Sequence, residues 1–412
     1  MREALETVYL YLPENSPAGF FKIMGQLDLF DEYYKQQLKK ELFVAYYDAR
    51  KNKRNTINAL NFELNYEHNL FQLYEEIISG NYKIKPSICF INFSPVQREI
   101  FAADFRDRVV HHLVYNYIAP VFEKTFINDS YSCRIGKGTH YGIKRIDHFI
   151  RSCSENYHKD CYILKLDIKG YFMNIERTIL FQVVNDTLLK YNKKIDFDLP
   201  LILDLIKLII YNDPTKNYIL KGNKKDWNGL PPSKSLFHSG ENKGLPIGNL
   251  TSQLFSNVYF NQFDHYVKKE LGIKYYGRYV DDFVIVHPDK TYLKMITSVI
   301  KNYLKENLML ELHPKKIYLQ HYSKGVQFLG AIIKPYRIYV SSRTKGNFYR
   351  SINKWNTKIN TVNGLTKEDK AEFQCTVNSY LGIMKHYKTG NLRSKIIFEK
   401  TDKKFWKYFE VC

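Results

Sequence analysis

The chain has 412 residues, of which 44% are hydrophobic and 25% charged, a balance typical of a folded protein with a substantial core. The most hydrophobic run, 199–210, contains Asp204 and Lys207. It is shorter than the ~18 apolar residues of a membrane-spanning helix, so we expect no membrane partner. Glu3 and Glu6 occupy positions at which a signal peptide would have apolar residues. The six cysteines do not have the sequence spacing of zinc ligands. We therefore expect reduced thiols in a cytoplasmic protein.

The positive charge is large and unevenly distributed. Lysine and arginine number 62 against 42 acidic residues, which leaves a net charge of +20 and favours a polyanionic partner. The stretch from Leu312 to Lys367 contains eleven of these cations and no acid, with aromatic residues interleaved. Cations beside flat rings are typical of a nucleic-acid surface, although a solvated basic face would have the same composition.

The predicted elements fall into three stretches along the chain. Residues 30–160 are expected to be mainly helical, with one helix over 99–122 because apolar residues recur there every four positions, at Phe101, Phe105, Val109, Leu113 and Tyr117. Residues 161–340 alternate helices with β-rich runs at 161–168, 273–280, 283–287, 326–333 and 337–340. That alternation predicts an α+β unit, a sheet covered by helices. The tail from about residue 343 onward is predicted to be helical, basic and aromatic.

A segment rich in Gly, Pro, Asn and Lys, 212–243, interrupts the second stretch. Its composition predicts a long loop or a hairpin. Trp227 within it is interpreted as a local packing anchor. Four lysines of the 212–243 segment could either contact RNA or simply be solvated. They are Lys221, Lys224, Lys225 and Lys234.

Two of the β-rich runs carry acidic residues among apolar neighbours. Asp167 lies near the end of the first run, and Asp281 with Asp282 separates two others, which predicts a tight hairpin with both acids at its turn. A buried carboxylate needs a partner, and two adjacent ones raise each other's pKa unless a cation neutralises them. Three carboxylates meeting on neighbouring strands would suit two Mg²⁺ ions.

Two such ions favour an in-line attack on a phosphate, because one activates the attacking oxygen and the other the leaving oxygen. The predicted chemistry is therefore phosphoryl transfer. The plainer alternative is that Asp281-Asp282 is an ordinary turn dipeptide and that Asp167 marks a strand end. The apolar runs that bracket both acids favour the catalytic interpretation.

Five motifs in order resemble those of reverse transcriptases. The stretches 166–172 and 279–282 resemble the two carboxylate motifs, 244–253 resembles the dNTP-binding motif, and 98–108 and 129–140 resemble fingers motifs. The amino-acid sequence of 244–253 has Ile247 where related polymerases mostly carry Gln. It is most similar to the corresponding motif in the reverse transcriptases of bacterial diversity-generating retroelements. The likeness extends from about residue 45 to 390.

The resemblance implies a right-hand polymerase fold with helical fingers, an α+β palm that carries the carboxylates, and a helical basic thumb. On this basis we expect an N-terminal extension at 1–45, fingers at 46–160, a palm at 161–340 with the 212–243 loop inserted, and a thumb at 341–412. A polymerase unit would then make up essentially the whole chain.

The same resemblance assigns roles to individual residues. Asp167, Asp281 and Asp282 match the Mg²⁺ carboxylates, with Ile168 included among the metal and nucleotide ligands. Arg98 matches a residue that contacts the triphosphate of the nucleotide. Phe172 matches an aromatic gate that excludes a 2′-hydroxyl. Ile247 and Gly248 are also expected to contact the nucleotide, and the lack of a Cβ at Gly248 allows its backbone to approach closely. One of Lys315 and Lys316 is expected to protonate the leaving pyrophosphate.

Nucleic-acid contacts are expected from the primer-grip motif, Phe328, Leu329 and Gly330, and from the thumb residues Arg343, Lys345 and Arg350.

The expected function is RNA-templated DNA synthesis with two Mg²⁺ ions, dNTPs, a template RNA and a DNA or RNA primer. The nearest resemblance implies error-prone copying at adenines within a diversity-generating retroelement, with a small accessory protein and a cognate non-coding RNA, in a bacterial or phage-encoded cytoplasmic protein. One alternative is a reverse transcriptase that acts in anti-phage defence. Another is an RNA-binding scaffold with an idle polymerase site, which the three intact acids oppose.

Overall fold

The computed structural model describes residues 17–51, 53–94, 96–361 and 365–408, with side chains from residue 32 to residue 406. The expected N-terminal extension, 1–45, therefore lies partly outside the described residues. The chain divides into two compact units. The first comprises Met1–Asn128, Ile168–Gly272 and Ile300–Pro314, and the second comprises Asp129–Asp167, Ile273–Val299 and Lys315–Cys412.

Helices account for most of the described backbone. In chain order they are α1 (Pro17–Arg50), α2 (Ile57–Glu63), α3 (Tyr66–Ile78), α4 (Phe105–Glu123), α5 (Thr139–Cys153), α6 (Tyr171–Asn174), α7 (Arg177–Lys190), α8 (Leu199–Tyr211), α9 (Leu250–His265), α10 (Lys290–Leu308), α11 (Ser342–Thr361), α12 (Lys367–Met384) and α13 (Gly390–Ser394). Among these described helices, none is long and apolar enough to cross a membrane.

The strands form three small sheets. They are β1 (Ser87–Asn92), β2 (Arg98–Ala102), β3 (Tyr162–Asp167), β4 (Tyr218–Leu220), β5 (Tyr275–Tyr279), β6 (Asp282–His287), β7 (Tyr318–His321), β8 (Val326–Phe328), β9 (Ala331–Lys334) and β10 (Arg337–Val340). The first unit holds the sheet β2-β1-β4. The second holds β5-β6-β3-β7, in which every pair is antiparallel, and β10-β9-β8.

The first unit is built around α9, which buries apolar side chains on all sides, among them Leu254, Phe255, Val258 and Tyr259. A helix that is apolar all round belongs in a core. These four residues are part of the core of the first unit. α9 begins at Leu250, within the motif at 244–253, so the last four residues of the motif form the first turn of the helix.

The second unit has two separate hydrophobic clusters. One lies between α5 and the four-stranded sheet, where Ile146 and Phe149 pack with Ile163, Val284 and Phe328. The other lies within the tail, where Phe348, Trp355, Phe373 and Phe405 are buried among the helices after residue 341. The prediction of a helical tail is confirmed, and the tail has a core of its own.

Two of the predicted elements differ from the structure. The helix predicted over 99–122 is wrong in its first turn, because Arg98–Ala102 pairs antiparallel with β1 and α4 begins only at Phe105. Asp104 ends the strand by capping the helix, since its carboxylate accepts a hydrogen bond from the Arg106 N–H at 3.0 Å. The single run predicted over 326–333 is instead a hairpin, with Leu329 and Gly330 as its turn.

The 212–243 segment is largely irregular, as predicted. It adds one short strand, β4, in parallel to β1, and contains three short 3₁₀ turns. Among the five cysteines that the structure describes, no disulfide occurs.

Candidate active site

The four-stranded sheet of the second unit brings the three predicted carboxylates together. Asp167 ends β3 and stands directly opposite Asp282, the first residue of β6. Tyr279 pairs with the same Asp282 from the other side, which leaves Val280 and Asp281 as a two-residue hairpin turn. Like charges directly opposite on neighbouring strands repel each other. The sheet therefore concentrates negative charge at one edge.

The turn itself is in an unusual backbone conformation. Val280 has φ +54°, a region that is sterically costly for a β-branched residue. Two hydrogen bonds hold it there. The Arg278 Nη1 donates to the Val280 carbonyl at 2.9 Å, and the Val280 N–H donates to the Ser132 Oγ at 3.2 Å. These bonds fix the two peptide groups that flank Val280, the residue directly before Asp281.

The supporting segment is 129–132, which belongs to a predicted fingers motif. The Arg278 N–H donates to the Asp129 carbonyl at 2.8 Å, and the Tyr131 N–H donates to the Arg278 carbonyl at 2.9 Å. The Arg278 Nη2 also donates to the Ser130 Oγ at 3.1 Å. Arg278 is 0% exposed, so these bonds are shielded from water and the segment braces the Val280-Asp281 turn.

Two lysines neutralise part of the charge. The Lys316 Nζ lies 2.9 Å from both carboxylate oxygens of Asp167, and the Lys165 Nζ lies 3.0 Å from the Asp282 Oδ2. Both lysines considered for the general acid are exposed, and the structure places Lys316 against the Asp167 carboxylate. Lys165 was missed in the sequence. Its position two residues before Asp167 on a strand, and hence on the same face, is the signal that could have found it.

The two lysines compensate only part of the negative charge of the three carboxylates. Burial, with the nearby charges of Asp167 and Asp282, raises the pKa of Asp281 to about 7. Burial also raises the pKa of Asp282 to about 6, against the opposing effect of Lys165. The Oδ1 of Asp282 is buried with no hydrogen-bond partner among the described residues. A buried orphan oxygen beside crowded acids indicates a place where a cation would be favoured.

The donor set fits a divalent metal in its chemistry. All three candidates are carboxylate ligands, which Mg²⁺ and similar hard cations prefer. Among the described residues, no three His, Cys, Asp or Glu side chains stand close enough together to enclose an ion. In this structure Lys316 and Lys165 hold the Asp167 and Asp282 carboxylates instead. Ile168 was also predicted as a metal ligand, but its side chain is apolar and buried, so only its main chain could serve as a ligand.

The predicted nucleotide residues lie in the first unit. Arg98 is exposed at the start of β2, and its guanidinium has no partner among the described residues. Phe172 and Ile247 are half-buried and pack against the same buried cluster of Cys89, Phe101, Met173 and Leu236. Ile247 is tied to β2 because the Phe101 N–H donates to its carbonyl at 2.9 Å.

Gly248 has a structural reason to be glycine. Its φ is +131°, and a Cβ there would lie 2.9 Å from the Ile100 Cγ2 and 3.1 Å from the Phe101 carbonyl oxygen. The close approach is to β2, so packing alone excludes a side chain at this position. Contact with a nucleotide remains a prediction for Gly248.

The primer-grip motif forms the β8–β9 turn. Leu329 and Gly330 have φ of +49° and +82°, the signs of a type I′ hairpin turn. Phe328 is fully buried in the core beneath α5, so the predicted nucleic-acid contact is wrong for its side chain, whose role is to anchor the hairpin. Leu329 is half-buried and Gly330 exposed, and both remain predicted contacts.

The basic residues predicted for the thumb lie on α11, where Arg343, Lys345 and Arg350 are all exposed. Arg343 and Arg350 are two helical turns apart and share one face. Lys345 lies about 200° around the helix from Arg343. Two of the three cations therefore form one stripe, and the third points elsewhere.

A buried acid of the first unit was also missed. Glu99 on β2 is 1% exposed, and its carboxylate accepts hydrogen bonds from the Trp227 Nε1 at 2.6 Å, the Ser235 Oγ at 2.8 Å and the Leu236 N–H at 2.6 Å. It thereby ties the 212–243 segment to the sheet that carries Arg98. Trp227 is confirmed as a packing anchor. The partners are far apart in the chain, so no local pattern could have revealed them.

A family model described as reverse transcriptase (RNA-dependent DNA polymerase) matches residues 97–333, which is more than half of the chain. The chain belongs to this family. The predicted enzyme class, an RNA-directed DNA polymerase, and the predicted right-hand fold are thereby confirmed. The matched range includes the sheet with Asp167, Asp281 and Asp282, and ends before α11.

Individual relatives are distant. Protein YkfC of Escherichia coli (strain K12) is 24% identical over 292 residues, which are 63% of this chain and 69% of YkfC. Telomerase from Candida albicans, solved with a TWJ fragment of telomeric RNA, matches 79% of this chain with a TM-score of 0.44 and 11% identity. Apo telomerase from Candida tropicalis, truncated from its C-terminal domain, matches 66% with a TM-score of 0.44 and 13% identity. This chain spans 64% and 59% of those telomerase chains.

Proposed function

We propose that this reverse transcriptase copies an RNA template into DNA by phosphoryl transfer at the Asp167, Asp281 and Asp282 edge of the sheet. The observation that carries the proposal is the register of the sheet, which sets Asp167 opposite Asp282 with Asp281 in the adjoining turn. A purely structural hairpin would not gather three acids there at an electrostatic cost.

Each residue has a role in this account. Asp167, Asp281 and Asp282 would hold the divalent ions, for which Mg²⁺ is proposed on the basis of its preference for carboxylate oxygens. When bound, such ions would activate the attacking 3′-hydroxyl and the leaving phosphate oxygen. Lys165 fixes the orientation of the Asp282 carboxylate. Lys316 would leave Asp167 and supply a proton to the pyrophosphate, which its half-exposed side chain allows.

The finer biological role proposed is error-prone copying within a diversity-generating retroelement. Two observations support this role. The motif at 244–253 has Ile247 in the place of Gln, and the half-buried Ile247 side chain packs against an apolar cluster. A branched apolar side chain offers no hydrogen bond to a base pair. A variable gene with an adenine-biased near-repeat beside this gene would favour diversification over defence.

The test is primer extension by the full chain on an annealed RNA template and DNA primer, with dNTPs and either Mg²⁺ or chelator. We expect extension that follows the RNA sequence, requires the divalent ion and is much weaker with rNTPs. Absence of templated extension with intact folding would contradict the proposed polymerase. Extension that ignores the template would contradict the assignment of RNA as its substrate.

A further inference from the structure

The 212–243 segment contains an open cavity of about 280 Å³, lined by Tyr218, Leu220, Lys224, Trp227, Ser235, Phe237 and His238. Its volume lies near the lower end of the ~300–1,000 Å³ of small-molecule sites. None of the roles assigned so far uses it. All its lining residues belong to the first unit.

The walls of the cavity are aromatic. The ring of Phe237 lies 5.3 Å from that of Tyr218, 5.4 Å from Phe101 and 6.4 Å from Trp227, each distance measured between ring centroids. Phe237 is nevertheless 39% exposed. A large apolar ring held in place but left open to solvent forms a ready surface for stacking.

The cavity is rigidly supported from beneath. Trp227 and Ser235 are both bonded to the buried Glu99 carboxylate. The Gln97 Nε2 donates to the Asp226 carbonyl at 2.8 Å, and β4 adds Tyr218 to the sheet through its pairing with β1. Side chains fixed in this way lose little further entropy when a ligand binds.

The charge around the cavity is positive. The 212–243 segment has six lysines and three acids. One of the acids, Asp226, uses its carboxylate to accept the Asn223 N–H at 2.9 Å. Lys224 lines the cavity, is exposed, and forms no ion pair with any described residue. A free cation beside stacked rings matches a phosphate next to a planar base.

We propose that this cavity binds an unpaired base of single-stranded RNA, stacked on Phe237, with the adjoining phosphate held by Lys224. The proposal rests on the proposed function only in taking RNA as the polyanion. It adds an RNA-docking site on the 212–243 segment, built from residues other than the three carboxylates. The flat rings recognise the base face, which every base possesses, so the site is expected to be tolerant of sequence.

The first measurement is photocrosslinking of the full wild-type chain to an oligouridine of about twelve nucleotides that carries 5-iodouridine, within the ~4–16 nucleotides that such sites cover. Mass spectrometry should locate the crosslink at Tyr218, Trp227 or Phe237. A crosslink distributed elsewhere, with none in this segment, would overturn the proposal. Millimolar UMP should compete poorly, and competition equal to that of the oligomer per nucleotide would overturn RNA as the source.

The second measurement is the affinity of the same oligouridine by fluorescence anisotropy for two variants at one position. Phe237→Leu keeps apolar volume but removes the ring, so affinity should fall about tenfold, the effect of losing one stacked base. Phe237→Tyr keeps the ring and should stay within about twofold of wild type. Equal affinity of Phe237→Leu and wild type would overturn the proposal.

The matched control is Phe71→Leu, the same substitution at another exposed ring of this unit, 50% exposed on α3. It should leave affinity unchanged, and a loss equal to that of Phe237→Leu would overturn the site assignment. Neither binding measurement requires DNA synthesis. A chain that fails at primer extension but crosslinks at Phe237 would therefore contradict the proposed function alone.

Discussion

Phe172 packs against a buried cluster that includes Phe101 and Met173, yet its own ring is only half-buried. Its proposed role as a sugar gate and a plain packing role are therefore both compatible with its position, and they differ in a measurable way. Phe172→Ala should raise rNTP incorporation relative to dNTP by about tenfold or more, because loss of one discriminating contact of ~1.4 kcal/mol has that effect. Phe172→Tyr keeps the ring and should keep the preference. Reduced thermal stability with unchanged sugar preference would show a core aromatic.

Ile247 poses the corresponding question for base selection. It lies against the same cluster as Phe172, and Ile247→Gln would add a hydrogen-bonding side chain where now only shape can discriminate. Misincorporation on an RNA template with all four bases should fall by about tenfold for each ~1.4 kcal/mol gained, most visibly opposite adenine. Ile247→Val is the matched control and should retain the error rate. An unchanged spectrum in an active Gln variant would remove Ile247 from the fidelity argument.

At the scale of elements, the turn of the β5–β6 hairpin is held in part by the buried side chain of Arg278. Arg278→Lys would leave the Val280 carbonyl and the Ser130 hydroxyl without their present donor, and lost hydrogen bonds to a charged group cost about 1.5–3 kcal/mol each. We expect the rate of single-nucleotide incorporation at saturating dNTP to fall by at least about tenfold, with KM for dNTP little changed, because Asp281 is displaced and not removed.

Ser132→Ala provides a graded comparison, since it removes the acceptor of the Val280 N–H and leaves the Arg278 guanidinium in place. Its effect on the incorporation rate should have the same sign as that of Arg278→Lys and be smaller. Thermal unfolding separates positioning from stability. If both variants lose stability but incorporate nucleotides at the wild-type rate, Arg278 supports the fold and does not position the turn.

The strands that carry the carboxylates could be predicted because their apolar runs are continuous and flanked by polar residues. The strand Arg98–Ala102 could not be predicted, because the four-residue apolar spacing of α4 continues back through Phe101 and the pairing with β1 decides the outcome. The N-capping Asp104 was a local sign of the true boundary. The bonds from Arg278 to Ser130 and from Trp227 to Glu99 escaped prediction because each joins residues more than a hundred positions apart.

For the whole molecule, the net charge of +20 predicts nucleic-acid binding that weakens steeply with salt. Each phosphate contact contributes roughly 0.7 to 0.9 to the slope of log affinity against log salt concentration. Arg343→Glu with Arg350→Glu removes the shared stripe on α11 and should flatten the slope by about 1.4 to 1.8 for a primer–template duplex. Lys345→Glu, on another face, should change it less.

The control for charge alone is Lys193→Glu with Lys194→Glu, two exposed residues of the first unit. This pair alters net charge by the same amount as the α11 pair. Equal flattening by both pairs would show a general charge effect, and no flattening by the α11 pair would place the nucleic-acid surface elsewhere.

Asp281 and Asp282 serve the proposed chemistry at a cost to the stability of the fold. Their raised pKa values mean that the ionised pair disfavours the folded state at neutral pH in the absence of metal. Asp281→Asn with Asp282→Asn should therefore abolish RNA-templated dNTP incorporation, by more than about a hundredfold, while the unfolding temperature in chelator stays equal or rises.

The most direct measurement pairs primer extension with thermal unfolding of this double variant and wild type in the same buffers. The account predicts lost extension, an unfolding temperature in chelator no lower than that of wild type, and loss of any stabilisation that Mg²⁺ gives the wild type. Extension that persists in the double variant, or lost extension accompanied by unfolding, would contradict it.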